Sequence, residues 1–174
     1  MSAAVDTREG KLILDSHKLS YHMDRVQAWE SGERIAPISV DMALTRACGA
    51  MCTFCYAMVQ ESQERSSVKT PVALKLVDDF ERLGIRSVSL VSDGESTLSP
   101  AYVPFIKHAY EAGIDVGNGT NGWEWEAEKI EQVLPYLTWV RFTVAAGRPS
   151  TYANMMYKGP EHTQVFERAM ANIK

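Results

Sequence analysis

The chain has 174 residues, of which 45% are hydrophobic, 23% charged and 9% aromatic. This profile predicts one soluble globular domain and excludes a collagen-like rod or a disordered tail. Its 18 Lys and Arg against 22 Asp and Glu leave a net charge of −4, with no block of like charges to track nucleic acid or a lipid surface. No apolar run approaches the ~20 residues that span a bilayer, and Met1 to Gly10 lacks the apolar stretch of a secretory signal. The expectation is a cytoplasmic protein with no nucleic-acid or membrane partner.

Residues 1–35 read as a polar N-terminal extension, a lid or a packing segment, with one short amphipathic stretch from Met23 to Trp29. A βα domain is expected over 36–174. Its first strand is Ile38 to Leu44, followed by a loop that carries all three cysteines. Thr70 as N-cap and Pro71 in the first turn open a helix with Leu76, Val77, Phe80 and Leu83 on one face, and Gly84 closes it. The pattern then repeats: a strand Ile85–Val91, a loop Ser92–Thr97, and a helix opened by Ser99-Pro100 and stopped at Gly113. A third strand, Ile114–Val116, leads through Gly117-Asn118-Gly119-Thr120-Asn121-Gly122 into a helix that reaches about Leu134 and stops at Pro135. A fourth strand, Thr138–Val144, precedes a long loop and a last helix from about Glu161, with Val165, Phe166, Ala169, Met170 and Ile173 on one face. Four βα units at this interval predict an α/β fold with a parallel sheet, a partial (β/α) barrel whose loops gather at the carboxyl ends of the strands. Those loops hold the cysteines, Asp93-Gly94-Glu95, Thr120-Asn121 and Thr143 to Arg148.

Cys48, Cys52 and Cys55 lie within eight residues of one another. An odd, tight cluster cannot make a disulfide framework and reads as metal ligation in a reducing compartment. Zinc would need a fourth ligand, and His17, His22, His108 and His162 are all distant in sequence from the cluster. A [4Fe–4S] cluster held by three cysteines keeps one iron open for a substrate or cofactor. A buried, unligated trio is the remaining structural reading.

The order Cys48-x-x-x-Cys52-x-Phe54-Cys55 after the first strand of a βα series resembles the radical SAM superfamily. The resemblance implies a [4Fe–4S] cluster on Cys48, Cys52 and Cys55, with its open iron binding S-adenosylmethionine. Cleavage of that cofactor to a 5′-deoxyadenosyl radical would then abstract hydrogen from a small-molecule, sugar or peptide substrate. It implies an electron donor such as a flavodoxin or ferredoxin. Phe54 matches the aromatic position near the cofactor, and Tyr56 is placed to line the same pocket or to pack under the loop. Asp93-Gly94-Glu95 stands where the family has Gly-Gly-Glu; the first glycine is replaced, and Glu95 keeps a carboxylate for the methionine ammonium. Thr120-Asn121-Gly122 is similar to the family's Thr-Asn-Gly, and Thr143 keeps a hydroxyl where Ser-Leu-Asp is frequent. Ala145 loses the acid of that segment. The likeness covers Ile38 to Lys174, and four units against the family's six imply either a fragment cut short on its C-terminal side or a natural short form. The alternative class is a binding module in which zinc or a structural cluster stabilises the fold and no cofactor is cleaved.

Gly117 to Gly122 also spells G-x-G-x-x-G, but no acid ends the next strand, so the glycines read as a tight turn and not as a dinucleotide site. Arg148, Tyr152, Tyr157 and Lys158 read as a solvated loop, with contact to an anionic substrate as the other reading. Trp123, Trp125 and Trp139 read as packing residues, and His17 and His22 as surface or capping residues ahead of acid–base groups.

Overall fold

The computed structural model describes residues 18–56, 66–91, 93–157 and 159–174. The expectations for Met1 to Gly10, His17, Ser92, Lys158 and the Tyr157 side chain lie outside these. Four strands form one parallel sheet in the order β1 (Ser39–Asp41), β2 (Ser87–Leu90), β3 (Asp115–Thr120) and β4 (Trp139–Phe142). Helices α2 (Thr70–Leu83), α3 (Tyr102–Glu111) and α4 (Ala127–Val133) make the crossovers, while α5 (Pro149–Tyr157) and α6 (Gln164–Ile173) follow β4. The expected α/β architecture with four βα units is present.

Boundaries differ in instructive ways. β1, β2 and β4 are shorter than the apolar runs that announced them, because residues such as Leu44 bury their side chains beyond the last ladder bond. β3 is longer: Gly117, Asn118, Gly119 and Thr120 pair with β4 residue for residue. Gly117 and Gly119 are therefore strand residues and not a turn. A Cβ on Gly117 would overlap the Trp139 ring, so the glycine admits the close approach of a neighbouring indole. Helix α2 is capped by the Lys69 carbonyl, which accepts from Val72 and Ala73 at 2.9 and 3.0 Å, so Thr70 is the first helical residue and not the cap. At its other end Gly84 takes φ 72°, the left-handed conformation expected of a C-terminal glycine. Leu83 and Ile173, assigned to buried faces, are 47% and 43% exposed. Ser99-Pro100 forms a turn ahead of α3, α4 gives way to a 3-10 turn at Leu134–Tyr136, and α6 starts after a second turn at Pro160–His162. The long loop after β4 contains α5, opened by Pro149 in the first-turn position that suits a residue without an amide proton.

Strand side chains alternate between faces. Val88, Leu90 and Val116 point into a core with Ala73 and Val77 of α2, Tyr102, Phe105, Ile106 and Ala109 of α3, Trp125 and Val133. Burying each large side chain contributes about 1.5–3 kcal/mol. The opposite face carries Ser39, Asp41, Ser87, Ser89, Asp115, Gly117 and Trp139 around a cavity of about 310 Å³. A smaller core lies at the carboxyl end of the sheet: Ala50, Tyr152, Met156, Val165 and Ala169, with Cys48, Cys52 and Trp123 against it. This second core joins the cysteine loop to α5 and α6.

Helix α1 (Met23–Glu30) lies at the other edge. Arg25 donates to the carbonyls of Ala36 (2.7 Å) and Gly84 (3.2 Å), which precede β1 and β2. In a parallel sheet that edge is opposite the loops after the strands, so these contacts of the described part of the N-terminal extension lie at the far end of the sheet from those loops. His22 occupies the N-cap position of α1, where its carbonyl accepts from Val26 at 3.1 Å.

Candidate metal and cofactor site

The stem of the cysteine loop is a short antiparallel closure. Val68 donates to the Leu44 carbonyl and Arg46 to the Ser66 carbonyl, both at 2.9 Å, and the Thr45 and Ser67 hydroxyls meet at 2.6 Å. Its far side is pinned to the end of α5, where Met51 donates to the Met156 carbonyl at 2.7 Å and Thr53 to the Met155 carbonyl at 2.9 Å. Between these anchors Cys48, Cys52 and Cys55 are half-buried, and none is in a disulfide. The Cys52 thiol lies 3.5 Å from the Met156 thioether, which is fully buried. Phe54 and Tyr56 project from the same loop, 51% and 61% exposed.

The loop after β2 packs directly on this stem. Gly94 has φ +73°, and a Cβ there would meet the backbone of Thr45 and Arg46. Glu95 donates its amide to the Ala47 carbonyl at 2.8 Å, and Asp93 pairs with Arg46 at 3.7 Å. The Asp93 side chain thereby ties this loop to the entry of the cysteine loop. Glu95 is 3% exposed. One of its oxygens accepts from the Thr97 hydroxyl (2.8 Å) and the other from the Asn121 amide (2.7 Å), with the Thr120 hydroxyl as a further donor. It clamps the loops after β2 and β3 together.

Thr120 and Asn121 are buried parts of that clamp. The Thr120 hydroxyl accepts from Gly122 at 3.0 Å, and the Asn121 side-chain oxygen accepts from Trp123 and Glu124 at 3.2 Å each. Tyr152, fully buried on α5, donates its hydroxyl to the Asn121 carbonyl at 3.2 Å; it is a core residue and not part of a solvated loop. Arg148 remains exposed at the head of α5. Thr143 is half-buried and donates its amide to the Thr120 carbonyl at 2.9 Å, which sets its hydroxyl-bearing position next to the clamp. Trp125 is buried, and Trp123 and Trp139 are half-buried, as packing residues should be.

Glu124, Met156 and Arg46 belong to the site but had no motif to announce them. Glu124 reaches from the loop after β3 to accept the Gly49 amide at 3.1 Å and the Asn121 side-chain amide at 2.7 Å. Its only sequence signal was a charge between two tryptophans. Met156 was discoverable: Tyr152 and Met156 stand four apart behind Pro149, a one-face helical spacing.

Burial pushes the Cys48 thiol up to about 12; a backbone bond from Ala50 opposes this, and the charges of Glu124 and Glu95 add to it. Burial likewise raises Cys52, with Cys55 adding to the rise. Burial also raises the Glu95 carboxyl above the ordinary glutamate range, despite the donors around it. The desolvated Cys48 and Cys52 thiols and the buried Glu95 carboxyl call for positive charge, which iron at the thiols and an ammonium at the carboxylate would supply. Among the described residues no three His, Cys, Asp or Glu side chains converge on one metal ion. Three free, half-buried thiols on one loop supply the thiolate donors that a [4Fe–4S] cluster takes, so the residues present fit one.

Fold and loop together define a class: a parallel βα protein with a three-cysteine loop at the carboxyl ends of its strands. A family model described as the Radical SAM superfamily matches residues 42–174. The chain belongs to that superfamily of enzymes, which implies a [4Fe–4S] cluster and S-adenosylmethionine. Curated proteins give no match. Among solved structures, SuiB of Streptococcus suis bound to S-adenosylmethionine has a TM-score of 0.64 at 14% identity, covering 90% of this chain and 37% of its own. TYW1 with a lysine-pyruvate adduct bound gives 0.55 at 19% identity, covering 73% and 47%. BtrN in complex with AdoMet and 2-DOIA gives 0.53 at 15% identity, covering 63% and 46%. At these identities the likeness establishes the fold. The chain spans between about a third and a half of the length of these structures. Among the described residues no helix is long and apolar enough to cross a membrane.

Proposed function

We propose that this chain is the cluster- and cofactor-binding part of a radical SAM enzyme, with Cys48, Cys52 and Cys55 as ligands of a [4Fe–4S] cluster. The observation that carries this reading is the set of three half-buried thiols on one pinned loop, packed beside a buried carboxylate that has no cation paired with it among the described residues. When bound, the cluster supplies the electron that cleaves S-adenosylmethionine to a 5′-deoxyadenosyl radical. The protein positions and shields. Glu95 would offer its negative charge to the cofactor's ammonium, Thr120 and Asn121 keep that carboxylate in place, and Thr143, tied by its amide to the Thr120 carbonyl, would add a hydroxyl. Gly94 admits the tight turn, Asp93 holds it through Arg46, and Phe54 and Tyr56 supply exposed aromatic surface to cover the cofactor. The substrate is a small molecule, sugar or peptide, and a flavodoxin or ferredoxin is the electron donor.

The test is anaerobic reconstitution with iron and sulfide, followed by dithionite and S-adenosylmethionine. A brown protein that bleaches on reduction and forms 5′-deoxyadenosine supports the reading. A colourless protein that retains zinc sinks it.

Glu95→Gln separates the cofactor role from the scaffold role. Its amide oxygen can accept from Asn121 while its nitrogen donates to Thr97, so the clamp survives without the charge. S-adenosylmethionine affinity is expected to fall by about tenfold or more, the loss of one charge-assisted bond of about 1.5–3 kcal/mol. The pH dependence of the cluster-free protein changes as well. The folded Glu95 holds its proton after the unfolded chain has lost it, so stability falls as pH rises from the ordinary carboxylate range toward the raised folded value. Glu95→Gln should flatten that slope in thermal melts, and an unchanged slope would place the titration elsewhere.

A further inference from the structure

We infer that Glu124 is a positioning residue with two separable jobs: its oxygen holds the turn after Cys48, and its charge lowers the reduction potential of the cluster bound there. The inference rests on the proposed cluster site. A relay of contacts leads to it. Glu95 fixes the Asn121 amide, the Asn121 side chain fixes the backbone of Trp123 and Glu124, and Glu124 reaches across to the Gly49 amide between Cys48 and Ala50. The approach is close enough that a Cβ on Gly49 would overlap the Glu124 carboxylate and fall 2.8 Å from the Trp123 ring. Both hydrogen-bond partners of that carboxylate, the Gly49 and Asn121 amides, are neutral. Among the described residues no ion pair engages that carboxylate, and its charge lies near the first cysteine of the loop. Reduction adds an electron to the cluster, so a fixed negative charge next to a ligand opposes reduction and lowers the potential, one of the levers by which proteins set iron–sulfur potentials.

One oxygen, Oε2, accepts both bonds. Glu124→Gln can place its carbonyl there, keep both contacts and lose the charge, whereas Glu124→Ala loses both. Two measurements follow. In the cluster-free protein, exchange of the Gly49 amide proton should be equally slow in the native chain and Glu124→Gln, and at least about tenfold faster in Glu124→Ala, with the β2 and β3 amides as a check that the fold is intact. In the cluster-loaded protein held at one solution potential, the reduced-to-oxidised ratio read by electron paramagnetic resonance should rise about tenfold in Glu124→Gln, a shift of about 59 mV for one electron. Equal Gly49 exchange in native and Glu124→Ala chains overturns the positioning job, and an unshifted ratio in Glu124→Gln overturns the electrostatic one. A native chain that takes up no cluster fails the parent reading and the electrostatic job together, while the exchange measurement still decides the positioning job.

Discussion

Replacing any one of Cys48, Cys52 and Cys55 with alanine is expected to abolish formation of 5′-deoxyadenosine, a fall of at least ~10²-fold, and to remove most of the bound iron and sulfide. Mutating a residue that merely supports a ligand already costs 10–100-fold in many metal sites. In the proposed site, losing one ligand would leave two thiolates to hold the cluster. The three variants should be equivalent, because each thiolate would be one of three like ligands. The fold should survive in all three: the loop is tied by the backbone bonds of Met51 and Thr53 to α5 and of Val68 and Arg46 across its stem, none of which uses a thiol. Loading should also depend on pH in a fixed direction. Burial raises Cys48 to about 12 and raises Cys52, so both thiols are protonated in the empty loop and must release protons as metal binds. Affinity therefore falls as pH falls. Native iron content in any single variant, with product still formed, would remove that cysteine from the ligand set.

The parts of this molecule that could be read from its sequence are those where one residue's chemistry decides the local outcome. Gly84 ends α2 because a residue without a Cβ enters the left-handed region freely, and the pattern around it needs no partner to be recognised. The cysteine spacing is legible for the same reason. What escaped reading depends on contacts between distant segments. Gly117 and Gly119 look like a turn in isolation; they extend β3 because Trp139 and Val91 occupy the space their side chains would need. Glu95 was expected to present its carboxylate at the rim, yet two loops close over it and make it a clamp as well. Glu124 joins the site through a hydrogen bond to a residue 75 positions away, and a lone glutamate between tryptophans does not announce such a bond. Helix α5 was missed because its short sequence mixes small polar residues with Tyr152 and Met156, and its buried face is completed only by the cysteine loop.

Gly94→Ala is expected to be the most damaging glycine substitution at the site, and two other glycines make the reason measurable. Gly147 has open space around it, so Gly147→Ala should change stability by no more than about 0.5 kcal/mol. Gly32 has φ +87° and equally open space; Gly32→Ala isolates the cost of a left-handed backbone, about 1–2 kcal/mol. Gly94 combines φ +73° with contact: its added Cβ would overlap the Thr45 carbonyl oxygen and lie 2.8 Å from the Arg46 Cα. Backbone atoms at the stem of the cysteine loop cannot rotate away as a flexible side chain could. The loop after β2 must lift, stretching the bond from the Glu95 amide to the Ala47 carbonyl and moving the Glu95 carboxylate from Asn121. We expect a loss of about 3 kcal/mol or more, which lowers the melting temperature by roughly 6–12 °C for a chain of this size. Iron uptake should fall with it, since the displaced stem carries Cys48. If Gly94→Ala melted with Gly32→Ala and loaded iron normally, the packing of these two loops would carry no weight in shaping the site. A larger fall in both shows that the turn at Gly94 is what brings the carboxylate and the first thiol to one place.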